Sequence, residues 1–200
     1  TWAVTSVGVV WIAVMTWICV IGIELNATTQ KWLLGAEIFT LALYAVVALV
    51  KVAGGEVVDQ LCTYLRPPEE YILFEFSHIH GIYRGDVEDA PSWFDIADRV
   101  VEFVGSAPVY AHNATFDASV WRGLDRYYFT GTYPEAFYCT CRTSRRLMPE
   151  LADHTLPTVA AYCAPGFRLN HHRADSDALA CAHIVAQFQR DRSLHELLAP

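Results

Sequence analysis

Two stretches of the sequence set histidines beside carboxylates. His112-Asn113-Ala114-Thr115-Phe116-Asp117 follows an apolar run and ends in a polar turn and an aspartate. His171-His172-Arg173-Ala174-Asp175-Ser176-Asp177 offers a histidine with an aspartate five residues on. Carboxylates hold hard divalent cations, and a histidine can take a proton from water near neutral pH. Brought together from distant segments, such groups suit metal-assisted phosphate chemistry.

That chemistry needs elements that carry both aspartates to one place. Pro108-Val109-Tyr110-Ala111 reads as a short strand delivering His112 and Asn113 to a turn. A helix from Ala114 then holds Asp117 in its first turn, at a strand-to-helix junction of the kind where α/β sheets bind ligands. The last main helix is expected from about Ala174 through Phe188, with Asp177 in its first turn and His172 in the loop before it. Upstream, Gly54-Gly55 signals a hairpin and Pro67-Pro68 ends the strand that follows it. Glu69 to Asp89 reads as a loop-rich connection bearing His78 and His80. Trp93 to Val104 has helical periodicity, with Gly105 as its stop. Ala136 to Thr140 reads as a strand, Arg142 to Leu147 as a short helix, and Thr155 as the cap of a helix reaching Cys163. Strands followed by alternating helices and strands give an α/β fold.

These motifs, in this order, resemble the DnaQ-like 3′–5′ exonucleases, the branch whose signature is Asp-Glu-Asp-Asp plus His. The family's second motif, His-Asn-x-x-Phe-Asp, stands here as His112 to Asp117. Its third, His followed by four residues and Asp, stands as His172 to Asp177. Phe76-Ser77-His78-Ile79-His80-Gly81-Ile82, followed by Asp86-Val87, is similar to the segment between the first and second motifs, with Tyr83 where Thr is usual. The resemblance covers about residues 15–190. It implies a ribonuclease H-like (exonuclease) fold, a mixed central sheet flanked by helices.

The first motif, Asp-x-Glu, is where the chain departs. In the strand-like run Trp17-Ile18-Cys19-Val20-Ile21-Gly22-Ile23-Glu24, Gly22 stands at the Asp position and Glu24 at the Glu position. A shift by two residues would instead put Glu24 for the Asp and Asn26 for the Glu. Either alignment leaves one carboxylate where the family has two. Hard cations depend on the number and charge of their oxygen ligands, so the loss weakens metal binding.

By resemblance, Glu24, Asp117 and Asp177 hold two Mg²⁺ or Mn²⁺ ions and His172 is the general base. His112 and Asn113 are read first as holding the turn that presents Asp117. His80, Asn113 and Phe116 are the candidate substrate contacts, with core packing as the other reading of Phe116 and a surface-loop histidine as the other reading of His80. Asp175 is read as a cap or dipole partner of its helix, or as a partial substitute for the missing ligand. The partners implied are single-stranded DNA or RNA 3′ ends, and a DNA polymerase subunit. Two functions stay open: a metal-dependent exonuclease, or an inactive member kept as a nucleic-acid-binding or partner-docking module.

Composition narrows this. The 200 residues suit one domain with a core, and the net charge of −8 excludes tight duplex binding through phosphates. Arg142, Arg145, Arg146 and Arg173 form the only local basic candidate, compatible with a transient grip on a strand end. Of the six cysteines, Cys19, Cys62, Cys163 and Cys181 lie in apolar runs and are expected to be buried. Cys139-Thr140-Cys141 lacks the usual zinc spacing, and a reduced, cytoplasmic setting is expected. Residues 1–14 are read as an apolar extension of the domain at 15–190, and 191–200 as a tail. Thr1 to Ile23 carries no charge, so a membrane span is the alternative there. The run Trp32 to Val50, broken only by Glu37, is read as a second strand, with Leu43 to Leu49 as an insertion or strand extension and a helical membrane hairpin as the alternative. Trp93, Trp121, Tyr127 and Tyr128 are assigned to packing.

Overall fold

Val46–Ala53 (β1) and Glu56–Tyr64 (β2) form an antiparallel hairpin around Gly54-Gly55. Both glycines have positive φ, 61° and 80°, as a two-residue turn between twisted strands requires. The fold comes from a computed structural model that describes residues 46–68 and 77–191. The expected first strand, with Gly22, Glu24 and Asn26, lies outside the described residues, as do residues 1–14 and 192–200. Val46 to Leu49 is strand, paired with Leu61 to Tyr64. From Val46 on, this run is therefore strand, as the strand-extension reading has it, and not an arm of a helical membrane hairpin. Among the described residues no helix is long and apolar enough to cross a membrane. Alternation along β2 buries Leu61 and turns Cys62 outward, so the expectation of a buried Cys62 fails. A hairpin covered on one face buries every second residue, whatever the local run of apolar types.

The connection expected as loop holds two single-turn helices, Ser77–His80 (α1) and Arg84–Val87 (α2). Tyr83 gives α2 no side-chain cap, and Asp86 instead accepts from the Tyr83 N–H at 2.7 Å. Trp93–Val104 (α3) begins at a reciprocal cap between Ser92 and Asp95 and stops at Gly105, as expected. Its apolar positions Trp93, Ile96, Ala97 and Val100 fall on one stripe and are all buried.

Val109–Ala111 (β3), Ala114–Tyr128 (α4) and Phe137–Cys139 (β4) follow. β3 and β4 pair in parallel, with Ala111 opposite Cys139, so both strands end at the same level. Thr140–Leu147 (α5) starts directly from β4, two residues earlier than the sequence suggests. Leu156–Cys163 (α6) starts at Thr155, but Thr155 makes no side-chain cap; its hydroxyl donates to Asp153 at 2.7 Å. Ala174–Arg190 (α7) packs against β1, β2, β3, α5 and α6.

Two cores result. Leu61, Leu65, Trp93, Ile96, Val100, Val120, Trp121 and Leu124 join the hairpin to α3 and α4. Val159, Ala160, Ile184 and Phe188 join α6 to α7. Trp93 meets Trp121 edge to face at 5.7 Å, as their assignment to packing requires. Tyr127 departs from that assignment and is 43% exposed. The far end of α7 is tied to the hairpin turn: the Gly55 N–H donates to Gln189 Oε1 at 3.1 Å, and Arg190 Nε donates to the Gly55 carbonyl at 3.0 Å. A Cβ on Gly55 would lie 2.6 Å from Arg190 Cγ, so this turn also needs glycine for close approach. The helix that carries Asp177 is thus anchored along its length. The described residues form an α/β arrangement with one antiparallel and one parallel strand pair.

Candidate functional site

Asp117 reaches its place through a chain of buried polar contacts. At the end of β3, the His112 ring lies between two groups, with Nε2 2.9 Å from the His154 carbonyl and Nδ1 3.0 Å from Thr140 Oγ1. The carbonyl can only accept, so Nε2 carries a proton. Burial holds the His112 pKa below its ordinary value, with Arg145, His154 and His171 adding to the effect, so the ring is neutral at physiological pH. Nδ1 therefore accepts from the Thr140 hydroxyl. Thr140 is completely buried and sits where β4 passes into α5. The parallel register at Ala111 and Cys139 places the two groups side by side. His112 is a fixed post, as expected, and the turn after it is fixed with it.

Asn113 follows in the left-handed region, φ 72°, and is exposed. It opens α4 without a side-chain cap bond. Asp117 then lies half-buried in the first turn. Burial pushes its carboxyl up to about 6, the Asp117 N–H lowers it, and the charge of Asp177 raises it further. The two aspartates, far apart in sequence, thus stand within electrostatic reach of each other.

Asp177 is presented by a different device. The loop Asn170–Arg173 is stitched onto the first turn of α7: the Asn170 N–H donates to Ser176 Oγ at 2.9 Å, and the Asp177 N–H to the Arg173 carbonyl at 2.8 Å. Both carboxylate oxygens of Asp177 are held. His171 Nδ1 lies 3.0 Å from Oδ1, and the His172 backbone N–H donates to Oδ2 at 3.1 Å. The ring that touches Asp177 is therefore that of His171, a residue the sequence did not single out. His172 takes φ 72° and stacks its ring on His171 at 4.0 Å. Asp175 is engaged by Arg173 at 3.4 Å on the surface.

His80 ends α1. It is 6% exposed, so it is not a surface-loop histidine, and its Nδ1 accepts from the Ile82 N–H at 3.1 Å. A Cβ added to Gly81 would lie 3.9 Å from Arg173 Nη1, which sets the turn after His80 against the Asp177 loop. Phe116 is partly buried against the α3–α4 core, which is its packing reading. Arg142, Arg145 and Arg146 are exposed on α5, and Arg145 is close enough to His112 to depress it. Cys139 ends β4 beside this turn. Burial raises its thiol, but the N–H groups of Arg142, Ala114, Asn113 and Cys141 outweigh that and hold it below its ordinary value.

A partly buried carboxyl with a second carboxylate within electrostatic reach is the condition a divalent cation relieves. Asp117 and Asp177 fit such an ion as hard oxygen donors. Among the described residues no group of three or more His, Cys, Asp or Glu is placed to hold a metal. A groove of about 820 Å³ bordered by Val104, Pro108, Tyr138 and Gln189 is a separate feature. Gln189 lies roughly 18 Å along α7 from Asp177 at 1.5 Å per residue.

Comparison with known proteins identifies the family and the fold. The exonuclease family model, of the RNase T type, matches residues 42–185, which include Asp117, His172 and Asp177. The chain is 30% identical over 141 residues to a PolC-type DNA polymerase III of Clostridium perfringens, covering 70% of this chain and 9% of that protein. It is 31% identical over 141 residues to the PolC-type DNA polymerase III of Oceanobacillus iheyensis, covering 69% and 10%. The chain thus spans about a tenth of the length of the curated relatives it matches. Among solved structures, the nuclease domain of 3′hExo, a DEDDh family member bound to rAMP, superposes with a TM-score of 0.64 at 13% identity, over 74% of this chain and 81% of that one. Exonuclease X in complex with 5′ overhanging duplex DNA superposes with a TM-score of 0.51 at 24% identity, over 74% and 84%. The mixed α/β arrangement is that of the ribonuclease H-like exonuclease domains, and the chain belongs to the DnaQ-like 3′–5′ exonuclease family.

Proposed function

We propose that this chain hydrolyses phosphodiester bonds at the 3′ ends of DNA or RNA, using divalent metal held by Asp117, Asp177 and Glu24. The single observation that carries the reading is that Asp117, in the first turn of α4, and Asp177, in the first turn of α7, come close enough for the charge of Asp177 to raise the Asp117 pKa. Bound Mg²⁺ or Mn²⁺, two ions by family resemblance, supplies acidity to the attacking water and charge stabilisation to the departing 3′ oxygen. His172 takes the proton of that water. His171 and the loop around it hold Asp177; His112 and Thr140 hold the turn of Asp117. By the family resemblance His80 and Asn113 are the side chains that meet the terminal nucleotide, and Phe116 packs against the core that supports α4. The PolC-type relatives suggest association with a DNA polymerase and a cytoplasmic setting.

Gly22 at the first-motif Asp position favours a second reading, in which this copy is impaired and acts as a nucleic-acid-binding or docking module. One assay separates the two. A 3′-end oligonucleotide is incubated with Mn²⁺, with Mg²⁺ and with chelator, using the chain as it stands, Gly22→Asp, and Asp117→Ala as the blank. Chelator-sensitive 3′ trimming by the chain itself supports an active enzyme with another donor serving. Trimming only by Gly22→Asp supports an impaired member. Trimming by neither would end the catalytic reading.

A further inference from the structure

We propose that His171 is a positioning residue for metal binding: with the His172 backbone N–H it fixes the carboxylate plane of Asp177 while leaving a lone pair on each oxygen open to a cation. The proposal rests on Asp117 and Asp177 being metal ligands, as argued above. Three observations carry it. His171 Nδ1 lies 3.0 Å from one carboxylate oxygen, and the His172 N–H donates to the other at 3.1 Å. A carboxylate so held on both oxygens cannot turn about its last torsion, yet each oxygen keeps a lone pair for a cation. The His171 ring is itself fixed, being stacked on His172 at 4.0 Å with 25° between the planes. The His171 side chain is 41% exposed and that of Asp177 28%, so the contact sits at the mouth of the site, not in a core that would need it for packing.

Against a carboxylate oxygen as acceptor, His171 Nδ1 is the donor. Partners that orient a ligating carboxylate typically change metal affinity about 10-fold to 100-fold when removed. The stack also links the two histidines: the ring that orients Asp177 lies against the ring of the proposed base, so one loop conformation serves both.

Mn²⁺ binding tests this without relying on turnover. Free Mn²⁺ is counted by electron paramagnetic resonance during titration of the chain as it stands, and of the same chain carrying Gly22→Asp. In each background His171→Phe, His171→Asn and His171→Ala are compared, with Asp177→Ala as the reference for lost binding. Phe keeps the stack and removes the donor; Asn places an amide N–H near Nδ1. The expected result is a loss of about 10-fold in Mn²⁺ affinity for Phe and Ala, recovered to within about 3-fold by Asn, at unchanged melting temperature. Unchanged or tighter binding by His171→Phe would overturn the inference, since the contact would then be idle or would compete with the metal. If the unsubstituted histidine chain binds no better than Asp177→Ala in either background, the metal reading itself falls and this inference with it.

Discussion

Asp117 and Asp125 lie roughly two turns apart on α4 and are treated in opposite ways. Asp125 is surrounded by donors. Its Oδ1 accepts from Thr130 Oγ1 and Thr132 Oγ1 at 2.7 Å and from Trp93 Nε1 at 3.2 Å, and its Oδ2 from the N–H groups of Thr132 and Tyr133 at 2.9 Å. The protein supplies that carboxylate with a full solvation shell, and in return the turn after α4 is fixed to α3. Asp117 has only the Asp117 N–H to lower its pKa, faces a second carboxylate and is pushed up to about 6. A fold selected only for stability would not leave a partly dehydrated acid beside another acid. The contrast between the two is what a functional carboxylate looks like next to a structural one.

The largest effect should come from breaking the structural partner. Asp125→Ala leaves two threonine hydroxyls and two backbone N–H groups without this acceptor and leaves Trp93 Nε1 only its 3.0 Å bond to Thr130 Oγ1, and should cost about 3 kcal/mol in urea unfolding. A loss under about 1 kcal/mol would mean that water replaces the carboxylate and that the contrast is overstated. His112→Ala comes next. It leaves the buried Thr140 hydroxyl and the His154 carbonyl short of a partner, at a cost of about 2 kcal/mol. His171→Ala removes one half-exposed contact and should cost under about 0.5 kcal/mol. If those two histidines proved equally costly, the distinction between a core-built and a surface-built half of the site would fail.

Much of this was legible before the fold. The second and third motifs, the Gly54-Gly55 turn, the α3 stripe and the strand-to-helix junctions all sit where residue types and spacing place them, because each depends on neighbours in sequence. The misses depend on neighbours in space. Cys62 stands in an apolar run, and only its hairpin register turns it outward. In the sequence Thr140 is the middle of Cys139-Thr140-Cys141, yet its role comes from the parallel register that sets it beside His112. A threonine at the end of a strand parallel to the motif strand was the available signal. The family spacing counts from His172, the second histidine, while the loop turns the His171 ring onto Asp177. Asp125 carries no motif, and its donors come from α3 and from the turn that follows it.

The pH dependence sharpens the comparison of the two acids. With the folded pKa of Asp117 raised from 3.8 to about 6, its contribution to stability is fully present below 3.8 and is lost as pH rises through about 6. In metal-free protein, Asp117→Asn should therefore be more stable than the parent at pH 8, by about 1 kcal/mol after allowance for screening at a half-buried group. The advantage should vanish near pH 4. Asp125→Asn should destabilise at both pH values, since an amide presents an N–H to donors that need an acceptor. Thermal melts of both variants in chelator at pH 4 and pH 8 read the signs directly. A parent more stable than Asp117→Asn at pH 8 would show that Asp117 is already compensated within the protein.

The smallest expected effect compares the residues that bend the chain into the two halves of the site. Asn113 and His172 both hold φ 72°, a region that costs an ordinary side chain about 1 kcal/mol. Asn113 is a residue type that visits this region readily, so Asn113→Gly should be neutral within a few tenths of a kcal/mol, and Asn113→Ala should cost about 1 kcal/mol. His172 holds its conformation while its N–H donates to Asp177 Oδ2 at 3.1 Å. His172→Gly keeps that N–H and relieves the backbone, so stability should rise by about 0.5 kcal/mol while the proposed base is lost. His172→Ala loses the same ring and keeps the strain. If His172→Gly is instead the less stable of the two, the ring stack on His171 contributes more to the loop than the backbone strain costs. The geometry of Asp177 would then depend on both imidazoles and not on His171 and a backbone N–H.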